Sequence, residues 1–183
     1  MSNFTHEHEL VTACRQGERL AQRALYERYA GKMFAVCLRY VRQRADAEDM
    51  LADGFMKVFT HIKNFKEAGS LEGWVRRIMV NECLSYLRKE RMIYMENSHD
   101  EFIQISENYD HSVQMHADEL IELIQNLPTG YRTIFNLYAI EGYTHKEIAE
   151  MLNINENTSK SQLSRARALL QKQLASQAVK DER

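Results

Sequence analysis

Cationic and hydroxyl side chains alternate at helical spacing near the end of the chain, in the stretch THKEIAEMLNINENTSKSQLSRARALL, residues 144–170. Lys160 and Arg165 carry positive charge, and Ser161 and Ser164 lie between them with hydroxyl groups that donate and accept hydrogen bonds. Side chains of these types contact the phosphates and the base edges of DNA. The chemistry that this stretch predicts is recognition of a nucleic acid rather than catalysis.

Two short helices joined by a turn are needed to position these side chains. Thr144 with Glu147 three residues later has the pattern of a capping box, which opens the first helix. Asn153 suits a left-handed turn position, and Asn157 or Thr158 can cap the second helix. This is the arrangement of a helix-turn-helix, whose second helix enters the major groove. A helical hairpin with a solvated basic face is the alternative that the pattern leaves open, because basic helix faces are common.

Composition and charge favour an all-helical protein whose charges are unevenly distributed. The 183 residues include one proline and seven glycines, and 44% are apolar, which is enough for a hydrophobic core. The net charge of −2 conceals +4 in residues 1–91, −8 in residues 92–126 and +2 in residues 127–183. Two mildly basic ends therefore flank an acidic middle, and the whole-chain charge is a poor guide to partners.

Several other classes of protein and site are disfavoured. The chain lacks an apolar stretch of about 18 residues and a secretory signal pattern, so we expect a cytoplasmic protein without membrane insertion. Cys14, Cys37 and Cys83 have no paired spacing and predict free thiols. The HEHE cluster at residues 6–9 is interpreted as a solvated chain end, and no metal or cofactor is expected. Without a glycine-rich phosphate loop or an HExxH motif, an enzyme with catalytic residues is not expected.

Helical periodicity before residue 92 predicts a bundle of three helices. Apolar residues recur at helical spacing in residues 18–44, with a bend at Gly31, and in residues 45–62. A third helix is predicted for residues 71–91, with Ser70 as its N-cap. Beyond it the periodicity fades for some 25 residues, which predicts a long flexible linker. The predicted divisions are a helical domain at 1–91, an acidic linker at 92–118 and a helix-turn-helix domain at 119–183.

Three sequence blocks resemble the extracytoplasmic-function sigma factors, the small two-domain promoter-recognition subunits of bacterial RNA polymerase. ADAEDMLADGFMKVFTHIKNF resembles region 2.2 of the family, GWVRRIMVNECLSYLRKER resembles regions 2.3 to 2.4, and YTHKEIAEMLNINENTSKSQLSRARALL resembles region 4. The blocks occur in the family's order and cover about 20–91 and 119–175. The resemblance implies an all-α fold with a region 2 bundle and a region 4 helix-turn-helix. It also implies a transcription initiation factor that binds core RNA polymerase, recognises the −35 and −10 elements of promoter DNA and promotes melting.

The resemblance further implies which residues contact polymerase and which contact DNA. The helix at 45–62 is expected to present acidic residues to the polymerase clamp. The loop at 63–72 and the helix at 73–91 are expected to capture the non-template strand at the −10 element. The polymerase-binding residues are then Asp46, Glu48, Asp49 and Asp53; the −10 residues are Lys63, Asn64, Phe65, Arg76, Arg77, Asn81 and Arg88; and the −35 residues are Tyr138, Thr158, Lys160, Ser161, Ser164 and Arg165.

The chain departs from the family pattern at a few positions. Ala52 stands where a glutamine is usual, and Tyr138 stands where arginine is frequent. Ser159 replaces a usual valine, which is expected to loosen the packing of the turn. The family also implies an anti-sigma factor as a partner, although no residue here identifies one. The alternative function is a stand-alone helix-turn-helix regulator, in which residues 1–91 form a sensor or dimerisation domain.

Overall fold

The computed structural model describes residues 4, 6–89 and 117–181. Over these residues it contains eight α-helices and no strand, in agreement with the all-α prediction. None of the described helices is long and apolar enough to cross a membrane. The chain divides into two compact units, the first ending at Tyr86 and the second beginning at Leu87. The predicted linker at 92–118 lies almost entirely outside the described residues, so its bounds stay a prediction.

The first unit packs four helices around one core. Met33, Val58 and Met79 come from three different helices and have no exposed surface. Tyr26 contacts Phe55, with ring centroids 4.7 Å apart, which pairs the second and third helices. The helices of this unit are α1 Glu7–Arg15, α2 Arg19–Leu38, α3 Arg44–His61 and α4 Leu71–Lys89, with a 3-10 turn at Ile62–Asn64 between α3 and α4.

Helix α2 is shorter than the periodicity predicts. It runs without interruption through Gly31 and ends at Leu38, so the predicted end near residue 44 is wrong, whereas the bend at Gly31 stays a prediction. A glycine inside a helix costs only about 1 kcal/mol relative to alanine, which packing against neighbouring helices easily offsets. The predicted N-cap of α4 is confirmed, because Ser70 Oγ accepts a hydrogen bond of 3.1 Å from the backbone N–H of Gly73.

Helices α3 and α4 approach closely at a glycine. A Cβ added to Gly54 would lie 2.2 Å from Sδ of Met79, which has no exposed surface. Near this contact Lys57 pairs with Glu82, a carboxylate whose side chain is only 6% exposed. A buried carboxylate needs such a partner. The small residue and the ion pair together set the register of α4 on α3.

Helix α1 is an element that the sequence reading missed. Residues 6–9 are exposed, as the interpretation of a solvated cluster predicts, but a helix that was not predicted begins at Glu7 and buries Leu10 and Val11 completely. The carboxylate of Glu7 also accepts a hydrogen bond of 3.2 Å from the backbone N–H of Leu71. No cluster suited to hold a metal ion occurs among the described residues. Helix α1 therefore contributes to the core of the first unit.

The second unit contains four helices, and an apolar cluster joins three of them. Leu123, Leu127 and Ala166 pack together in it, with Tyr131 among the partly buried neighbours. Leu174 was predicted to face inward but is 37% exposed, because it lies one turn beyond Leu170, where the cluster ends. The helices are α5 Ala117–Gln125, α6 Thr129–Phe135, α7 His145–Leu152 and α8 Glu156–Asp181, with a π-helical turn at Asn136–Ile140.

Local capping signals predict most of the turns in this unit. Thr144 and Glu147 form both bonds of the capping box, and Asn153 adopts the predicted left-handed conformation with φ of 54°. The predicted caps of α8 are wrong. Asn155 Oδ1 instead accepts a hydrogen bond of 2.8 Å from the backbone N–H of Asn157, and the helix begins at Glu156.

Candidate nucleic-acid interface

The start of α8 presents the polar face that the helix-turn-helix pattern predicts. Lys160, Ser161 and Ser164 are exposed there, and Arg165 is half-buried beside them. Thr158 lies in the first turn of the helix and is partly exposed. Five of the six predicted −35 residues are thus brought together on one short helical surface.

Lys160 is engaged in an ion pair on this surface. Its Nζ lies 2.7 Å from Oε1 of Glu156, one turn earlier on α8, and both side chains are about half exposed. Exposed pairs of this kind are weak, because water and salt screen both charges. The ammonium of Lys160 can therefore exchange this carboxylate for a phosphate or a base edge without a large penalty.

Tyr138, the sixth predicted −35 residue, belongs to an aromatic cluster beside α8. Its ring stacks on His145 with centroids 4.4 Å apart and an interplanar angle of 21°. The guanidinium of Arg167 lies 5.7 Å from the centre of the Tyr138 ring, at a distance suited to a cation–π contact. Arg167 thus adds a cation next to the position where many family members carry arginine.

His145 also contacts Ser159, the residue at the position where the family usually has valine. Its Nδ1 lies 2.9 Å from Oγ of Ser159, which is completely buried. The predicted loosening at Ser159 is therefore compensated by a hydrogen bond that valine cannot form. Burial, followed by the charges of Lys160 and Arg167, lowers the pKa of His145. The imidazole is accordingly neutral at neutral pH.

In the first unit, the loop between the 3-10 turn and α4 borders an open pocket of about 510 Å³. The rings of Phe65 and Trp74 line it, with centroids 5.4 Å apart. Lys66 and Arg77 add positive charge and have no ion-pair partner in the part of the chain that the structure describes. The full lining consists of Asn64, Phe65, Lys66, Ala68, Gly69, Ser70, Gly73, Trp74 and Arg77. Aromatic walls with nearby cations suit an unstacked base and its phosphates.

The pocket brings together some of the predicted −10 residues and separates others. Asn64, Phe65 and Arg77 line it, and the exposed Asn81 lies one turn further along α4. The side chain of Phe65 is buried, so it serves as a wall and not as an exposed contact. The remaining predicted residues lie outside the lining: Lys63 and Arg88 are exposed, and Arg76 is half-buried.

Lys66 is a pocket residue that the sequence reading did not name. It is the second lysine of the loop KNFKEAGS, and its position beside Phe65 was visible in the sequence. Periodicity carries no information inside a loop, however, so no rule distinguished it from other surface lysines. His145 was missed for a similar reason, and so was the contact of the exposed Arg167 with Tyr138, since both contacts depend on the π-helical turn.

The predicted polymerase-binding residues lie on α3 with different surroundings. Asp49 and Asp53 are exposed one turn apart, and neither has an ion pair among the described residues. Glu48 pairs with Arg44 at 2.9 Å, and Asp46 is partly exposed at the first turn. The exposed Met56 continues the line of Asp49 and Asp53, at 66% exposure. This face therefore combines free carboxylates with an apolar side chain.

Comparison with known proteins agrees with this arrangement. Residues 25–92 match the family model for Sigma-70 region 2, and residues 117–170 match the model for Sigma-70, region 4. The ECF RNA polymerase sigma-E factor of Haemophilus influenzae is 28% identical over 188 residues, which cover 95% of this chain and 98% of that protein. The ECF RNA polymerase sigma factor SigM of Bacillus subtilis is also 28% identical, over 86% of this chain and 97% of its own length. Among solved structures, CnrH in complex with the cytosolic domain of CnrY has a similar fold, with 19% identity, a TM-score of 0.50 and coverage of 91% of this chain and 96% of that one.

Proposed function

This chain belongs to the extracytoplasmic-function sigma factors, and we propose that it binds core RNA polymerase and directs it to promoters with −35 and −10 elements. The observation that carries the proposal is the occurrence, on one chain, of a helix-turn-helix and of a separate aromatic pocket with adjacent cations. A stand-alone regulator needs the first feature only. The proposal includes no catalysis by the chain itself, and it places the chain in the cytoplasm with its polymerase.

We assign recognition of the −35 element to the exposed start of α8. Lys160 and Arg165 supply cations for guanine edges or phosphates, and the hydroxyls of Ser161 and Ser164 are short enough to let the helix approach the groove. Thr158 lies at the helix N-terminus, where a hydroxyl and free backbone N–H groups favour a phosphate. The phenol of Tyr138 can donate to a phosphate without adding charge.

We assign capture of an unpaired −10 base to the pocket of the first unit. Phe65 and Trp74 offer apolar surface to a base that has left the stack, and Asn64 offers both a donor and an acceptor. Arg77 and Asn81 then follow the strand along α4. Opening a duplex costs stacking energy, and binding the displaced base offsets part of that cost.

We assign polymerase binding to the face of α3 that carries Asp49, Asp53 and Met56. Exposed carboxylates steer the encounter with a basic partner, and an apolar side chain at their edge adds buried area once the complex has formed. Asp46 and Glu48 widen the negative surface, although Glu48 already pairs with Arg44. The family resemblance also implies an anti-sigma factor, and that partner is part of the proposal.

The decisive experiment is run-off transcription by purified core polymerase with this chain and a library of promoter fragments. We expect transcripts that start at a common distance from two shared sequence elements. Co-purification of the chain with core polymerase gives the second readout. If the chain instead binds duplex DNA specifically by itself and neither co-purifies nor supports transcription, the stand-alone regulator replaces this proposal.

A further inference from the structure

We propose that helix α1 sets the shape of the pocket loop and that Arg15 is a positioning residue for base recognition there. The inference rests on the proposed function of the pocket. Helix α1 lies outside the region 2 match, which begins at residue 25. Its side chains are absent from the pocket lining, so any influence on a bound base must act through the loop.

Arg15 fastens the loop at two points. Its Nη1 donates a hydrogen bond of 2.7 Å to Oε1 of Glu67, and its Nη2 donates to the backbone carbonyl of Phe65. The other carboxylate oxygen of Glu67 lies 2.7 Å from Nδ1 of His8, which is on the same face of α1 as Arg15, about two turns earlier. His8 and Arg15 of α1 therefore both contact the carboxylate of Glu67. Arg15 also donates a hydrogen bond to the backbone of Phe65, whose ring lines the pocket.

Glu67, which both residues contact, has an unusual backbone conformation. Glu67 has φ of 55°, in the left-handed region that glutamate rarely adopts. A residue in that region persists when its surroundings hold it there. The hydrogen bond from His8, followed by that from Arg15, lowers the pKa of Glu67, so the carboxylate is charged at neutral pH. The contacts with α1 are the visible restraint on this turn of the loop.

Helix α1 also fixes the far end of the same loop. Glu7 Oε1 accepts a hydrogen bond of 3.2 Å from the backbone N–H of Leu71, the first residue of α4. The segment between Phe65 and Leu71 supplies five of the nine residues that line the pocket, counting Phe65 itself. Leu10 and Val11 are completely buried, so α1 is a firm support. The positions of the loop's amide and carbonyl groups, which a base would contact, thus depend on α1.

The experiment compares Arg15→Ala, Arg15→Lys and Arg23→Ala in the full chain bound to core polymerase. Arg23 forms an exposed i,i+4 pair with Glu27 on α2 and serves as the matched control. The probe is a set of single-stranded non-template oligonucleotides with each of the four bases in turn at each position of the −10 element. Thermal unfolding of each variant is measured in parallel.

We expect Arg15→Ala to lower the ratio of affinities for the preferred and the other bases by about tenfold, because two charge-assisted contacts are lost. Arg15→Lys should restore part of the ratio, since an ammonium can pair with Glu67 but cannot reproduce the planar two-point contact. Arg23→Ala should keep the wild-type ratio. Polymerase affinity should be the same in all variants, which separates positioning from general damage.

Three outcomes overturn the inference. An unchanged base ratio in Arg15→Ala, with a wild-type ratio that favours one base, shows that the loop is shaped without α1. A lower unfolding temperature with an unchanged ratio shows a stability role only. If wild-type polymerase complex favours no base at any position, the proposed function of the pocket fails first and the inference fails with it.

Glu67→Asn provides the same test if Arg15→Ala does not fold. Asparagine tolerates the left-handed region better than other non-glycine residues, so this variant keeps the backbone turn more readily and removes the carboxylate that α1 holds. A reduced base ratio in a folded Glu67→Asn protein supports the inference. A wild-type ratio contradicts it.

Discussion

At the scale of single residues, Lys160 and Arg165 differ in a way that mutation can resolve. Lys160 is exposed and pairs with Glu156, whereas Arg165 is half-buried and its planar guanidinium can contact a guanine edge at two points. We expect Arg165→Ala to weaken binding by about 1–3 kcal/mol and to relax specificity at one base pair of the −35 element. Competition binding of the polymerase complex to promoter fragments with single substitutions measures both effects. Uniform weakening on all fragments would exclude a base contact.

Lys160→Ala should have a different signature. Loss of a phosphate contact weakens binding to every sequence and lowers the slope of log affinity against log salt by about one. Lys172→Ala is the matched control, because Lys172 is an exposed lysine on the same helix at a distance of more than three turns. A salt slope that is unchanged in Lys160→Ala but lowered in Lys172→Ala would place the DNA path elsewhere on α8.

Arg77 and Asn81 are expected to act on strand separation and not on polymerase binding. Arg77 lines the pocket, and Asn81 is exposed one turn further along α4, so both can follow a single strand. The variants Arg77→Ala and Asn81→Ala should bind polymerase normally and reduce open-complex formation. Permanganate footprinting of unpaired thymines near the start site measures it. Wild-type reactivity in both variants would assign these residues a structural role.

His145 gives the second unit a pH dependence whose sign follows from its lowered pKa. The ordinary pKa of a histidine side chain is 6.5, and burial, followed by the charges of Lys160 and Arg167, lowers the pKa of His145 in the folded chain, while Glu156 opposes them. As the pH falls through 6.5, the unfolded chain binds a proton before the folded chain does. The contribution of His145 to stability is therefore fully present above pH 6.5 and decreases as the pH falls toward the folded-state pKa.

The test is the difference in unfolding free energy between wild type and His145→Phe across this pH range. Phenylalanine keeps an aromatic ring next to Tyr138 and cannot titrate. The difference should shift in favour of the variant as the pH decreases below 6.5. A difference that is constant with pH would mean that His145 titrates equally in the folded and unfolded chains.

At the scale of elements, two glycines inside helices predict opposite responses to the same substitution. Gly31 lies in α2 with no atom within 4 Å of an added Cβ, so Gly31→Ala should stabilise the protein by about 0.5–1 kcal/mol. An added Cβ at Gly54 meets Met79 at 2.2 Å. Gly54→Ala should therefore be destabilising, since overpacking costs about 1–3 kcal/mol and exceeds the gain in helix propensity.

Chemical denaturation of both variants measures this contrast. The double variant Gly54→Ala with Met79→Ala should be less destabilised than the sum of the two single changes, because the new methyl group fills space that the shorter side chain leaves. If Gly54→Ala stabilised the protein as much as Gly31→Ala, α3 and α4 would be able to move apart around the new methyl group without a loss of unfolding free energy.

Elements with local signals were predictable, and elements that depend on distant contacts were not. The capping box at Thr144 and the left-handed turn at Asn153 follow from rules that span a few residues, and both are present. Helix α1 has only nine residues and its buried face depends on contacts with other helices, so no local signal predicted it. The pocket was predicted in part, because the loop was assigned to the −10 element by resemblance. Arg15 bonds to Phe65 and Glu67, which are 50 and 52 positions further along the chain, and no periodic pattern indicates contacts over such distances.

At the scale of the whole molecule, the charges suit three different partners. The basic surroundings of the pocket and of α8 lie in two separate units, so each can bind its own promoter element. Linking two weak sites raises the effective concentration of the second once the first is bound. Between them, residues 92–126 contain eight acidic residues and no lysine or arginine. Such a segment repels DNA, and a basic protein surface is the kind of partner that its charge fits.

We therefore predict that neutralising this acidic segment weakens the polymerase complex in a salt-dependent way. The variant replaces Asp100, Glu101, Glu107 and Asp110 with Asn or Gln, and the matched control replaces the exposed Glu9, Glu18, Glu27 and Glu150 with Gln. Affinity for core polymerase should fall in the first variant at low salt and converge with wild type at high salt, where charges are screened. The ratio of abortive to full-length transcripts should also change if the segment competes with nucleic acid for a basic channel. An equal loss of affinity in both variants would attribute the effect to net charge, and wild-type affinity with a wild-type abortive ratio would leave the segment as a tether.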